Sequence, residues 1–141
     1  MIFCVLFFYV LWERLLSKPI VFSIIESPMH PKLSSLYEGL GYKELQFSSI
    51  RKAMSALKKY QPIAITAEFF YKYGTNYSSN HISNLDSLLI TLQKYPDYHP
   101  KLIIFVNKQE QQFVTKLEIY CPMDYVLVQP VNAEQVRACL I

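Results

Sequence analysis

Short apolar runs alternate with amphipathic stretches along most of the chain. Residues 20–25 form a nearly continuous, β-branched apolar run, the pattern of a strand buried on both faces. Residues 26–31 (ESPMHP) break it. Leu33, Leu36, Tyr37 and Leu40 follow at helical spacing, and Gly41 is placed to end that helix. Residues 42–47 read as a weaker second strand. Ser48 or Ser49 can cap the next helix, whose apolar face is Ile50, Ala53, Met54, Leu57 and Tyr60. Residues 62–68 predict a third strand that ends in an acid, and residues 69–80 lack a period and read as a long loop. Ile82, Leu85, Leu88, Leu89 and Leu92 mark a third helix, ended by Pro96. Residues 102–106 form a fourth buried strand. Phe113, Val114, Leu117 and Tyr120 line a fourth helix that Pro122 stops. Residues 125–128 make a fifth strand, and Asn132 with Gln135 opens a fifth helix in the manner of a capping box.

Strands alternating with amphipathic helices imply right-handed βαβ units. The expected class is therefore α/β, a doubly wound five-stranded parallel sheet with helices on both faces. At 141 residues the chain accommodates one such domain and not two of ordinary size. Its bounds are set at residues 19–141, with residues 1–18 a hydrophobic N-terminal extension or helix. The first twelve residues are all apolar or aromatic, short of the roughly 20 a helix needs to cross a bilayer. They read foremost as a surface for a protein partner or a second copy. A truncated membrane anchor and a free extension are the other readings, so membrane contact through residues 1–12 stays open.

Composition narrows the function classes. The apolar fraction is 52% and the charged fraction 18%, as in a packed globular protein. The net charge of +3 is small and scattered; Arg51, Lys52, Lys58 and Lys59 read as the wet face of one helix, and no nucleic-acid partner is expected. Cys4, Cys121 and Cys139 are odd in number and form no CxxC pair, which fits free thiols in a reducing, cytoplasmic compartment, with or without membrane association. Cys121 and Cys139 read as small buried side chains. His30, His81 and His99 lack metal-ligand spacing and read as surface or loop positions.

In an open α/β sheet, ligands gather at the carboxyl ends of the strands. The residues leaving those ends are Glu26 and Ser27, Glu68, Val106 and Asn107, and Gln129. The turn after the first strand has two prolines and no glycine, so it cannot cradle a phosphate with backbone N–H groups. Neither a GxGxxG fingerprint, a Walker lysine nor a nucleophile elbow is present. No enzyme activity, cofactor or metal is expected.

Residues 124–130 (DYVLVQP), residues 132–136 (NAEQV) and the third strand at 62–68 resemble the corresponding segments of response-regulator receiver (CheY-like) domains. The resemblance spans roughly residues 19–141. It implies the flavodoxin-like strand order 2-1-3-4-5 and a cis bond before Pro130. It also implies a depleted phosphorylation site. The acidic pair that helps hold Mg²⁺ falls on Glu26 and Ser27. The phosphate-accepting aspartate falls on Glu68, the hydroxyl residue on Val106 (or Asn107 if the register slips by one), and the lysine on Gln129. The expectation is a pseudo-receiver that cannot be phosphorylated and acts by protein–protein contact in signalling or regulation, through a partner or as a homodimer. The rivals are a divalent-metal-binding phospho-acceptor built on Glu68 and a membrane-tethered assembly subunit. Glu68 reads as a solvated acid at a strand end, ahead of a built-in phosphate mimic. Glu26 and Glu68 should lie close, with Lys72 or Lys108 approaching to offset their repulsion. In the aromatic loop, Phe69 and Phe70 suit core packing, and Tyr71, Tyr73 and Tyr77 a partner-binding surface.

Overall fold

The computed structural model describes residues 18–72 and 81–141, together with Val5. Apart from Val5 and Lys18, the N-terminal extension expected over residues 1–18 lies outside the described residues, and so do Cys4, Tyr73, Tyr77 and the rest of the expected loop from residue 73 to residue 80. In chain order the elements are β1 (Ile20–Ile24), α1 (Ser34–Gly39), β2 (Lys43–Phe47), α2 (Ile50–Ala56), β3 (Ala64–Glu68), α3 (Asp86–Gln93), β4 (Lys101–Val106), α4 (Gln111–Val114), a 3₁₀ turn (Thr115–Ile119), β5 (Tyr125–Val128) and α5 (Ala133–Leu140). All strand pairs are parallel, in the order β2-β1-β3-β4-β5. This is the doubly wound, flavodoxin-like arrangement expected from the alternation of patterns.

The three central strands carry the most continuous apolar sequence because both their faces are covered. β3 is buried at all five positions, β1 and β4 at four each. Phe22, Ile24, Ile65, Ala67, Ile104 and Val106 face one layer, packed against α2, α3 and α4. Val21, Ala64, Ile103 and Phe105 face the other, against Tyr37 of α1 and Val136 and Leu140 of α5. The edge strands β2 and β5 are only partly covered. Ser49 caps α2 by accepting the Lys52 N–H at 3.2 Å. Asn132 and Gln135 close the capping box on α5, each side chain accepting from the other's backbone N–H. At the far end of α5, the Lys101 ammonium donates to the Cys139 carbonyl at 2.9 Å and lies over the Tyr125 ring. Gly41, at φ 79°, lets the Tyr42 N–H return to the Tyr37 carbonyl at 2.8 Å and stop α1.

Three helices depart from their apolar spacing. The second ends at Ala56, so Leu57 and Tyr60, expected on its apolar face, lie in the turn beyond it. The third begins at Asp86 and not Ile82, because the Asp86 carboxylate accepts the N–H groups of Ile82 and Ser83, both at 2.7 Å. Those bonds hold residues 82–85 as a turn. The fourth is a single α-helical turn that tightens to 3₁₀ geometry ahead of Pro122. Cys121 and Cys139 are half-buried where full burial was expected; burial still raises both thiols above their ordinary range.

Candidate functional site

Each residue singled out at the strand ends sits where the topology puts it. β1 and β3 are neighbours and end one position apart in register, which brings Glu26 and Ser27 over Glu68. β4 and β5 run alongside, and the Gln129 N–H donates to the Val106 carbonyl at 2.8 Å. The bond between Gln129 and Pro130 is cis. Val106 is fully buried and turned into the core. Asn107 accepts the Glu110 N–H at 2.8 Å, capping the turn into α4. Neither presents a hydroxyl to the rim.

Glu68 corrects the sequence reading. It is not a solvated acid at a strand end: it is 1% exposed. The segment from Ser27 to Pro31 lies over it. One carboxylate oxygen accepts the Ser27 hydroxyl and the Gln129 amide, the latter at 3.4 Å. The other accepts the Glu26 N–H at 3.2 Å. The Gln129 amide also donates to the Met29 carbonyl at 3.3 Å, so it pins the covering segment and the carboxylate together. All these donors are neutral. A lone buried carboxylate is costly unless donors surround it, and here the protein supplies them itself.

The expected lysine partner is absent. Among the described residues no ion pair joins Lys72 or Lys108 to Glu26 or Glu68, and both lysines are exposed. Hydrogen bonds replace the cation. Asn84 donates to a Glu26 carboxylate oxygen at 2.9 Å and to the Glu68 backbone carbonyl at 2.8 Å. Its own side-chain oxygen accepts the Phe70 N–H at 2.8 Å. Partial burial raises the Glu26 carboxyl above its ordinary range; the Asn84 bond opposes this, and the nearby Glu68 charge adds to it.

Asn84 escaped the sequence reading. Its one signal was the run Ser83-Asn84-Leu85-Asp86, which is dense in residues that cap helices. His30 lies in the loop after β1, as expected, but it is not at the surface: it is 6% exposed. Nothing in its sequence surroundings marks that, since it lies between two turn-forming prolines, Pro28 and Pro31. Tyr71 stacks on Phe113 of α4 with ring centroids 4.0 Å apart, and its N–H donates to the buried Glu110 at 2.9 Å. Its aromatic face is therefore turned to the protein's own helix. Phe69 is buried as expected, and Phe70 is 36% exposed.

These residues do not fit a magnesium ion. Mg²⁺ requires near-octahedral oxygen donors. The Glu68 carboxylate is already filled by protein donors, one Glu26 oxygen is held by Asn84, and Ser27 spends its proton on Glu68. Among the described residues, no three His, Cys, Asp or Glu side chains converge on one point.

No protein-family model matches the chain, and no curated protein matches it by sequence. Solved structures match it in fold. The CheY-like response-regulator receiver domain from Methanospirillum hungatei superposes with a TM-score of 0.66 at 10% identity, covering 88% of this chain and 91% of that one. Chemotaxis protein CheY4 from Vibrio cholerae gives 0.62 at 13% identity, with 88% and 97% covered. The receiver domain from Methylobacillus flagellatus gives 0.62 at 16%, again over 88% and 97%. The protein has the receiver, CheY-like fold, with Glu68 at the end of the central strand β3.

Proposed function

We propose that this protein is a receiver-like domain without phosphoryl chemistry, acting by protein–protein contact in signalling or regulation. The observation that carries the reading is the closed state of Glu68. A phospho-acceptor must present a carboxylate oxygen to an incoming phosphoryl group, with cations at hand to offset the developing charge. Here that carboxylate faces inward, both oxygens accept from Ser27, Glu26 and Gln129, and a neutral amide stands where receivers place a lysine. The strand-end groups act as internal fastenings of the rim. Met29, 57% exposed, and Phe70, 36% exposed, put apolar side chains beside this rim that a protein partner would bury.

The test is titration of the purified protein with Mg²⁺ and beryllofluoride, followed by amide chemical shifts, alongside mass spectrometry after incubation with a small phosphodonor. No saturable shift at the rim and no phosphoryl adduct are expected. Saturable, magnesium-dependent binding that Glu68→Ala abolishes would establish the phospho-acceptor reading in its place.

A further inference from the structure

The layer between the sheet and α1 contains a polar seam inside otherwise apolar packing. Ser23 of β1 and Thr66 of β3 are register partners, fully buried on the same face of the sheet. Tyr37 of α1 is fully buried against them and its hydroxyl has no hydrogen-bond partner. Burial pushes that phenol up to about 12, against smaller opposing pulls from the Thr66 and Ser23 hydroxyls, neither of which reaches bonding geometry. Glu44 of β2 closes the seam, accepting the Ser23 and Ser34 hydroxyls at 2.6 Å each.

His30 enters this seam from the segment that covers Glu68. Its ring packs edge-on to Phe105 of β4, centroids 5.1 Å apart. Its Nδ1 lies 3.0 Å from the Pro31 carbonyl, which can only accept, so this nitrogen carries the proton. Nε2 lies 3.5 Å from the Thr66 hydroxyl, which also reaches the Phe22 carbonyl at 3.4 Å; in the neutral ring, the form that burial favours, Nε2 is the unprotonated nitrogen. Only two residues separate His30 from Ser27, whose hydroxyl is on Glu68, and of these Met29 takes the Gln129 amide on its carbonyl. His30 is thus the inner anchor of the cover, and Ser27 and Met29 are its clasps.

We propose that the Ser27-to-Pro31 segment is a proton-operated cover: neutral His30 holds it over Glu68, and protonated His30 lets it lift. The charges that face His30 are Glu68 from β3 and Glu44 from β2; both favour the charged ring, and the Pro31 carbonyl does too. Neither carboxylate touches it, each being engaged by neutral donors elsewhere. Burial outweighs all three and keeps the seated ring below its ordinary range of 6.5. A lifted, solvated ring recovers the ordinary value of about 6.5. Lifting therefore binds a proton, so it is promoted as the pH falls below that value and levels off below the seated value.

The proposal concerns the cover alone and needs no partner, so its failure would leave the absence of phosphoryl chemistry as argued above. The experiment is an NMR titration of the full chain that follows the His30 ring together with hydrogen exchange at the Glu26 and Met29 amides. Those amides donate to Glu68 and to the Ser27 hydroxyl respectively. Their protection factors, referred to the intrinsic rate at each pH, should fall by up to about tenfold per pH unit through the His30 titration, the limit for one linked proton. Amides inside β3 should stay protected. His30→Gln and His30→Leu should each flatten the dependence, and either one suffices if the other fails to fold. A His30 that titrates normally, or rim amides indifferent to its titration, would overturn the proposal.

Discussion

Shortening one side chain tests the interior account of Glu68 directly. Glu68→Asp supplies the residue type that receivers use as acceptor, yet the structure predicts a loss of stability with no gain of chemistry. The change removes one buried methylene, costing about 1 kcal/mol with the void it leaves. It also draws the carboxylate back by about 1.5 Å along the side chain. The Gln129 amide at 3.4 Å and the Glu26 N–H at 3.2 Å are then out of reach. Hydrogen bonds to a charged group contribute about 1.5–3 kcal/mol each, and long ones such as these belong at or below the lower end. The sum is a destabilisation of about 3 kcal/mol. Urea unfolding at neutral pH reads it as a midpoint lowered by about 1.5 M, with the slope unchanged, for a typical slope of about 2 kcal/mol/M. Glu68→Gln keeps the length and should fall between the two, because its amide group turns a donor toward one of the donors now facing the carboxylate. An aspartate variant within about 0.5 kcal/mol of the parent, no more than an ordinary surface change, would refute the reasoning.

Other fastenings can be tested in the same way. Asn84→Ala removes three bonds at once and should cost about 2–3 kcal/mol while freeing the Phe70 amide to exchange. Asp86 is fully buried; burial raises its carboxyl, but the donors Ile82, Tyr120 and Ser83 outweigh this and hold it below its ordinary value. Its stabilising contribution is therefore complete above the unfolded value of about 3.9 and lost as the pH falls through the folded one, so Asp86→Asn should be less stable at neutral pH and show a shallower acid decline. Tyr120→Phe, which deletes the 2.8 Å donor to Asp86, should cost about 1–2 kcal/mol at neutral pH and less once Asp86 is protonated. Phe113→Ala should raise the exchange rate of the Tyr71 amide by unseating the ring that stacks on it, with circular dichroism showing the sheet intact.

The fold was legible because its signals are local and redundant. Apolar runs at residues 20–25, 62–68 and 102–106 have the length and side chains of strands covered on both faces, and the capping residues at Ser48 or Ser49 and at Asn132 mark the helix starts. The start of α3 was misplaced because Ile82 keeps the apolar period while its backbone is taken by Asp86, a competition that spacing cannot reveal. Positions on the rim were legible for the same reason as the strands: in a parallel sheet, strand ends meet. Environment was not. Whether Glu68 faced water depended on where the turn after β1 folded back, and Ser27 meets Glu68 across 41 positions of chain. Asn84 likewise works across 58 positions of chain, at Glu26.

The position of Lys101 has a practical use. It stands at the start of β4 and grips the Cys139 carbonyl, which fixes the exit of the last helix at the pole of the molecule opposite Glu68. A fluorophore, affinity handle or surface linker appended after Ile141 would emerge there. Such an attachment would leave Met29 and Phe70 unobstructed, so immobilised protein would offer its upper edge to whatever is passed over it.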